Sequence, residues 1–355
     1  MNKKSIVKNT FIFLSCSIIL LSFSYHPKDN DLVATKASMP SATKDAKGIV
    51  YIVFANGNRL EYVSSSDNGI NFSKPVLVDT IKDLFGVAGR GPHIINTSHT
   101  LSILAPDKNG NIHGYTKNEN DGWIKNGLVN DVPDVCKEGF VAVAAKGDSL
   151  YAVWLDVRNN NRNKIVGALS ADGGKTWTKN KIVYQSPDGV VCECCRPSVA
   201  FGNNGITVMF RNNWNGNRNL YLIQSHDGGQ SFGEAKKLGE GNWKLNACPM
   251  DGGSIVINEN GSVETVWRRV DTIYSCVPGH HEEKIGKGKN CTVENIDNKN
   301  VYAWIEEGNI VCLLPTEEKV NAGEGSFPVL QQINNNSFMC IWQNENNVYK
   351  KIISF

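Results

Sequence analysis

Three copies of one short pattern constrain this chain more than any other feature. Ser65-Ser66-Asp67-Asn68-Gly69-Ile70-Asn71-Phe72, Ser170-Ala171-Asp172-Gly173-Gly174-Lys175-Thr176-Trp177 and Ser225-His226-Asp227-Gly228-Gly229-Gln230-Ser231-Phe232 all read Ser-x-Asp-x-Gly-x-x-aromatic. Their starts lie 105 and 55 residues apart, so a further copy is expected near residue 117, where Asn118-Glu119-Asn120-Asp121-Gly122-Trp123 reads as a worn version. The chemistry is that of a tight turn. Asp and Ser side chains take nearby backbone amides, glycine supplies a positive φ, and the aromatic ring packs the turn onto a sheet. A period near 50 indicates stacked supersecondary units rather than one continuous core.

Short apolar or alternating runs bounded by Gly and Asn flank the turns, as strands should. One unit reads Phe140–Ala145, Leu150–Leu155, Lys164–Leu169, turn, Lys181–Tyr184, and the next reads Pro197–Phe201, Ile206–Phe210, Leu220–Gln224, turn, Lys236–Leu238. With Ile49–Phe54, Leu101–Ala105, Val263–Trp267 and Phe338–Trp342 as further second strands, the pattern predicts six four-stranded units. The three turns resemble the Asp-box (BNR) repeats of sialidases and their relatives. That resemblance implies an all-β, six-bladed β-propeller with each box between the third and fourth strands of a blade. Val301–Ile305 and Ile310–Leu314 are read as an extra hairpin in a long fifth blade, with a seventh blade as the alternative. The last blade lacks a fourth strand, which the N-terminal segment is expected to supply.

In such blades the second-to-third and fourth-to-first loops share one face. There the sequence places Asp156, Arg158, Arg211, Arg268 and Arg269 after second strands, and Arg90, Glu138, Arg196 and Asp251 before first strands. Arginines converging from several blades point to an anionic ligand, because the guanidinium fork holds carboxylate or sulfate in a bidentate way. The family resemblance implies a sialidase-type glycoside hydrolase acting on an acidic saccharide, with a non-catalytic acidic-glycan-binding propeller or a cysteine-rich metal- or redox-linked propeller as the alternatives. Arg90, Arg211 and Arg268 would hold the anion, with Arg158, Arg196, Arg269 and Asp251 in support. Asp156 would be the acid/base, Glu138 would activate the nucleophile, and Tyr274 is the candidate nucleophile. The chain departs from typical sialidases in having no Arg-Ile-Pro before its first box. It looks closer to uncharacterised bacterial secreted proteins with similar Trp-Leu-Asp-x-Arg, Cys-x-Cys-Cys and Cys-Pro-Met-Asp-Gly-Gly segments. Trp214 and Trp243, in loops, are candidates to stack on a sugar ring.

The N-terminus reads as an export signal: Lys3, Lys4 and Lys8 precede an apolar run from Phe11 to Phe23, and Ser22-Phe23-Ser24 offers a cleavage site. Residues 1–24 are assigned to the signal and 25–355 to one propeller domain, secreted or periplasmic, with lipid anchoring through Cys16 as the lesser alternative. Of 37 Lys+Arg against 35 Asp+Glu, three lysines leave with the signal, so the mature net charge is −1. That balance excludes an electrostatic nucleic-acid binder. Export makes disulfides the first expectation for Cys136, Cys192, Cys194, Cys195 and Cys248, which fall in adjacent fourth-to-first loops. A Cys276–Cys291 bond would close the loop holding His280 and His281. A Cu(I) or Zn thiolate site is the alternative, although Cys192-Glu193-Cys194-Cys195 is read as lacking both the two-residue spacing and the matching second pair of a zinc ribbon. No cofactor, no resident metal, no membrane span in the mature chain and a monomeric state complete the expectations.

Overall fold

The computed structural model describes residues 31–117, 122–187, 190–258 and 260–355; the signal segment, Cys16 and most of the worn repeat copy lie outside them. The described residues form seven antiparallel four-stranded sheets arranged as the blades of a β-propeller. The second strands are Val50–Asn56, Leu101–Pro106, Ser149–Asp156, Gly205–Trp214, Val263–Arg269, Lys299–Glu306 and Ser337–Asn344. No helix among the described residues is long and apolar enough to cross a membrane.

The expected count of six is therefore corrected to seven. Lys299–Glu306 and Asn309–Leu313 are not an added hairpin but the middle strands of a complete sixth blade, flanked by Lys289–Ile296 and Lys319–Glu324. This blade carries no Ser-x-Asp turn. Its strands are joined by tight hairpins through Asp297-Asn298 and Glu307-Gly308, all four residues at positive φ, the geometry that matches strand twist in two-residue connections. The seventh blade takes its outer strand from the N-terminal side. Leu32–Thr35 pairs antiparallel with Asn347–Ser354, and the Ala37 amide donates to the Asn346 carbonyl at 2.8 Å.

There is no single core. Seven apolar clusters occupy the seven seams between neighbouring blades, such as Val153, Leu155 and Ile165 against Val208, Phe210 and Ile223 between blades three and four. Each sheet is buried on both faces, which is why the second strands read as unbroken apolar runs.

The Ser-x-Asp turns fasten these seams. In each, the serine hydroxyl donates to the aspartate (2.7–2.8 Å) and accepts from the glycine amide (2.8–2.9 Å), and the aspartate takes the amide four residues on at 2.9 Å. The glycine sits against the second strand of the preceding blade. A Cβ on Gly69, Gly174 or Gly229 would stand 1.8 Å from Met339, 2.8 Å from Ser102 or 2.3 Å from Tyr151.

Gly228 and Gly229 separate conformational strain from this contact. Both have positive φ, but only Gly229 faces a neighbour. Gly228→Ala is expected to cost about 1–2 kcal/mol from the left-handed backbone, and Gly229→Ala to add roughly 1–3 kcal/mol of overpacking. Urea denaturation of the two variants checks this; equal losses would show that the turn does not clamp the seam.

Candidate functional site

Loops that begin the first strands of all seven blades meet at the mouth of the central channel. They enclose a cleft of about 80 Å³, walled by Phe140, Phe327 and Met250 and carrying Arg196 and Asp251. The loops interlock at backbone distance: a Cβ on Gly252 would lie 1.9 Å from the Arg196 carbonyl. Arg196 is half-buried, and among the described residues its guanidinium donates no hydrogen bond. Its field is felt below: burial first, then Arg196, brings the His93 imidazole down to about 3. Asp251 is buried, accepting from the Asn290 amide at 2.7 Å, and burial raises its carboxyl against the pull of Arg211.

The other arginines expected to hold an anion are already engaged. Arg211, only 1% exposed, donates to the backbone carbonyls of Asp251, Arg218 and Arg268 at 2.9, 2.6 and 2.9 Å. It and Arg268 both lie near the Trp243 ring, at 5.2 and 5.4 Å from its centroid, and the indole is buried, which leaves it little surface for a sugar. Arg269 pairs with Glu282 and lies 4.1 Å from the Tyr274 ring centroid. Arg90 donates to the Glu138 carbonyl at 2.6 Å and rests on Phe140, with its ion pair to the Glu138 carboxylate at 3.4 Å. Glu138 is held above the usual carboxylate range by burial, opposed by Arg90.

Two of the expected catalytic residues, Asp156 and Tyr274, are buried. Asp156 is fully enclosed and accepts from the Trp154 indole and from both the backbone and guanidinium of Arg158; Arg158 also reaches Asp131 and Asn180. A carboxylate so sealed is a structural hub rather than an acid/base open to substrate. Tyr274 lies buried in the seam between blades four and five, stacked on Trp267 at 6.0 Å, away from the cleft. Trp214, by contrast, is exposed at the tip of a second strand. The exposed apolar residues Val87, Val132, Met250 and Val270 stand on loops of the same face.

All nine cysteines of the described residues are free. Cys276 and Cys291 cannot pair as expected. Cys276 ends a third strand on the turn face, whereas Cys291 enters a first strand from the cleft face. Cys136 packs in the seam between blades two and three. Cys192, Cys194 and Cys195 form a separate buried group, and the Arg218 guanidinium meets the Cys192 sulfur at 3.2 Å. Cys192 and Cys195 do have two residues between them, the spacing expected to be absent. Sulfur–sulfur hydrogen bonding with Cys194 and Cys195, and then Arg218, lowers the Cys192 thiol; burial raises Cys195. Arg218 and His93 were not singled out from sequence, where nothing distinguishes them from strand residues. A large concavity, about 1310 Å³, is an open crevice between blades four and five that reaches His226, His280 and His281. It exists because the outer strand of blade four is only Lys236–Lys237.

No family model and no curated protein matches the chain. Solved structures do match across nearly its whole length. An ulvan lyase of polysaccharide lyase family PL25, bound to a GlcA–Rha3S saccharide, is 10% identical, with 92% of this chain and 94% of that one covered at a TM-score of 0.56. YCF48 bound to D1 peptide is 12% identical, with 93% and 97% covered at 0.57. A protein of unknown function from Dyadobacter fermentans is 16% identical, with 93% and 99% covered at 0.50. These likenesses establish the propeller fold.

Two outcomes follow from the buried charges. Asp156→Ala leaves the Arg158 guanidinium, 10% exposed, without its main partner, and is expected to cost on the order of 3–5 kcal/mol in chemical denaturation. A loss below ~1 kcal/mol would mark the pair as an ordinary surface bridge. Glu294, on the innermost strand of blade six, has its carboxyl pushed by burial from 4.5 up to about 7. The folded chain therefore keeps a proton that the unfolded chain has released, so stability falls as pH rises between those values and levels above them. Glu294→Gln should match wild type in melting temperature near pH 4 and exceed it increasingly up to about pH 7. A difference that does not change with pH would remove Glu294 as its source.

Proposed function

We propose that the protein recognises an acidic saccharide on the cleft face, with Arg196 taking a carboxylate or sulfate at the channel mouth. The carrying observation is the half-buried Arg196 guanidinium, which donates to no group among the described residues in a cleft lined from all seven blades. Desolvating a cation without a partner is costly, and a bidentate anion relieves that cost. The cleft's roughly 80 Å³ is far below the roughly 300–1,000 Å³ of sites that engulf a small molecule. It therefore suits one charged group, with the rest of the saccharide lying outside on the exposed Met250 and Trp214. A uronate and a sulfated sugar are what the similarly folded ulvan lyase has bound.

Recognition fits the geometry better than hydrolysis of the sialidase type. Asp156 is sealed and Tyr274 is buried in a seam, so no nucleophile stands opposite an acid. A hydrolytic version of the reading rests on Glu138 alone, whose raised carboxyl borders the channel mouth. In it Glu138 would protonate the leaving oxygen and a water would attack.

The test is titration calorimetry of the full chain with uronate-containing and neutral oligosaccharides of equal length. Acidic saccharides should bind and neutral ones should not. Arg196→Ala should weaken binding by roughly 10–100-fold, the worth of a charged hydrogen-bonded contact, while its melting temperature stays near wild type. Equal binding of acidic and neutral saccharides, or indifference to Arg196→Ala, would overturn the proposal. Release of sugar by wild type but not by Glu138→Gln would convert recognition into hydrolysis.

A further inference from the structure

The cysteine trio belongs to no seam, and its packing is unlike that of the other buried cysteines. Its sulfurs form a closed triangle with edges of 3.4, 3.7 and 3.9 Å. These three are the only group of potential metal ligands within 4.8 Å of one another among the described residues, and no imidazole or carboxylate joins them. A disulfide would draw two sulfurs to about 2.05 Å, and a bond between adjacent Cys194 and Cys195 would be strained. Thiolates about 2.3 Å from a shared ion stand roughly 3.8–4.0 Å apart, close to the triangle observed.

The charges around the trio suit thiolates. Arg218, 9% exposed, places one guanidinium nitrogen on the Cys192 sulfur, and its buried Nε has no partner. The charge of Arg211 is felt at Cys195. Two buried cations beside three thiols make sense where the sulfurs carry negative charge.

We propose that Cys192, Cys194 and Cys195 form a three-thiolate site for a soft monovalent metal ion, Cu(I). Soft thiolate ligands select Cu(I), zinc or iron–sulfur clusters. Structural zinc and the common clusters call for four ligands, whereas three thiolates complete a trigonal Cu(I) site. The three thiol protons leave to solvent on binding. The resulting complex carries a charge of −2, which Arg218 and Arg211 offset. Cys248 is exposed and interacts with Cys194 but stands outside the triangle, so it is the sulfur that first meets an ion arriving from solvent. This site is independent of the saccharide proposal.

The experiment loads the full chain, reduced and under nitrogen, with Cu(I) alone or Zn(II) alone. Bound metal is counted after desalting against a Cu(I) chelator. One equivalent of copper is expected, with X-ray absorption on the wild-type protein showing sulfur neighbours and no nitrogen. Cys192→Ser and Cys195→Ser should lose the copper. Cys248→Ser should keep the stoichiometry but load more slowly. The wild-type spectrum stands even if a variant folds poorly. Nitrogen ligation, loss of all copper in Cys248→Ser, preferential retention of zinc in four-sulfur coordination, or a Cys192–Cys195 disulfide in place of metal would each overturn the assignment.

Discussion

Everything in this molecule depends on sheet faces finding partners at the seams. A four-stranded blade cannot bury either face by itself, and here each seam is closed by its own apolar cluster. The consequence is distributed stability: each seam holds only two blades, and the ring holds only if every seam does. The glycines of the Ser-x-Asp turns show how tight the arrangement is. Each occupies a gap against the preceding blade that one methyl group would fill. The same packing fixes the cleft face, because the loops that meet there are held apart or together by the angles between blades.

That rigidity also decides which charges are free. In Arg211 all three donor positions are consumed by carbonyls of its own blade and the next. This arginine is thus a staple between blades four and five, aided by the indole of Trp243. Arg158 plays the same part with Asp156 and Asp131. What distinguishes Arg196 is its place: its backbone lies against Gly252, it lines the cleft, and its guanidinium has no hydrogen bond among the described residues.

The fold class was legible because the turn chemistry is local. Ser, Asp, Gly and an aromatic residue at fixed spacing need only each other to make the turn, so Ser170 to Trp177 announces its structure without reference to the rest of the chain. The blade number was not legible because blade six runs only from Lys289 to Glu324, compressed by tight hairpins and lacking the turn, so it falls below the repeat length. The shared face of Arg90, Glu138, Arg196 and Asp251 could be read from strand order. Which of these is free could not, since Arg211 is occupied by Asp251 and Arg268, 40 and 57 residues away. The cysteine triangle was half legible: the three residues are nearly consecutive, but only the fold shows Arg218 beside them.

The junction in blade seven has a consequence for how the chain matures. Leu32–Thr35 must wait for Asn347–Ser354, so the first strand of the described residues finds its partner only when the last has been made. Until then six seams can form while the ring stays an open arc with an unpaired strand edge. Contacts of such large sequence separation close slowly. The late interval, with blades assembled but unsealed, is when this chain is most exposed to pairing with another copy of itself.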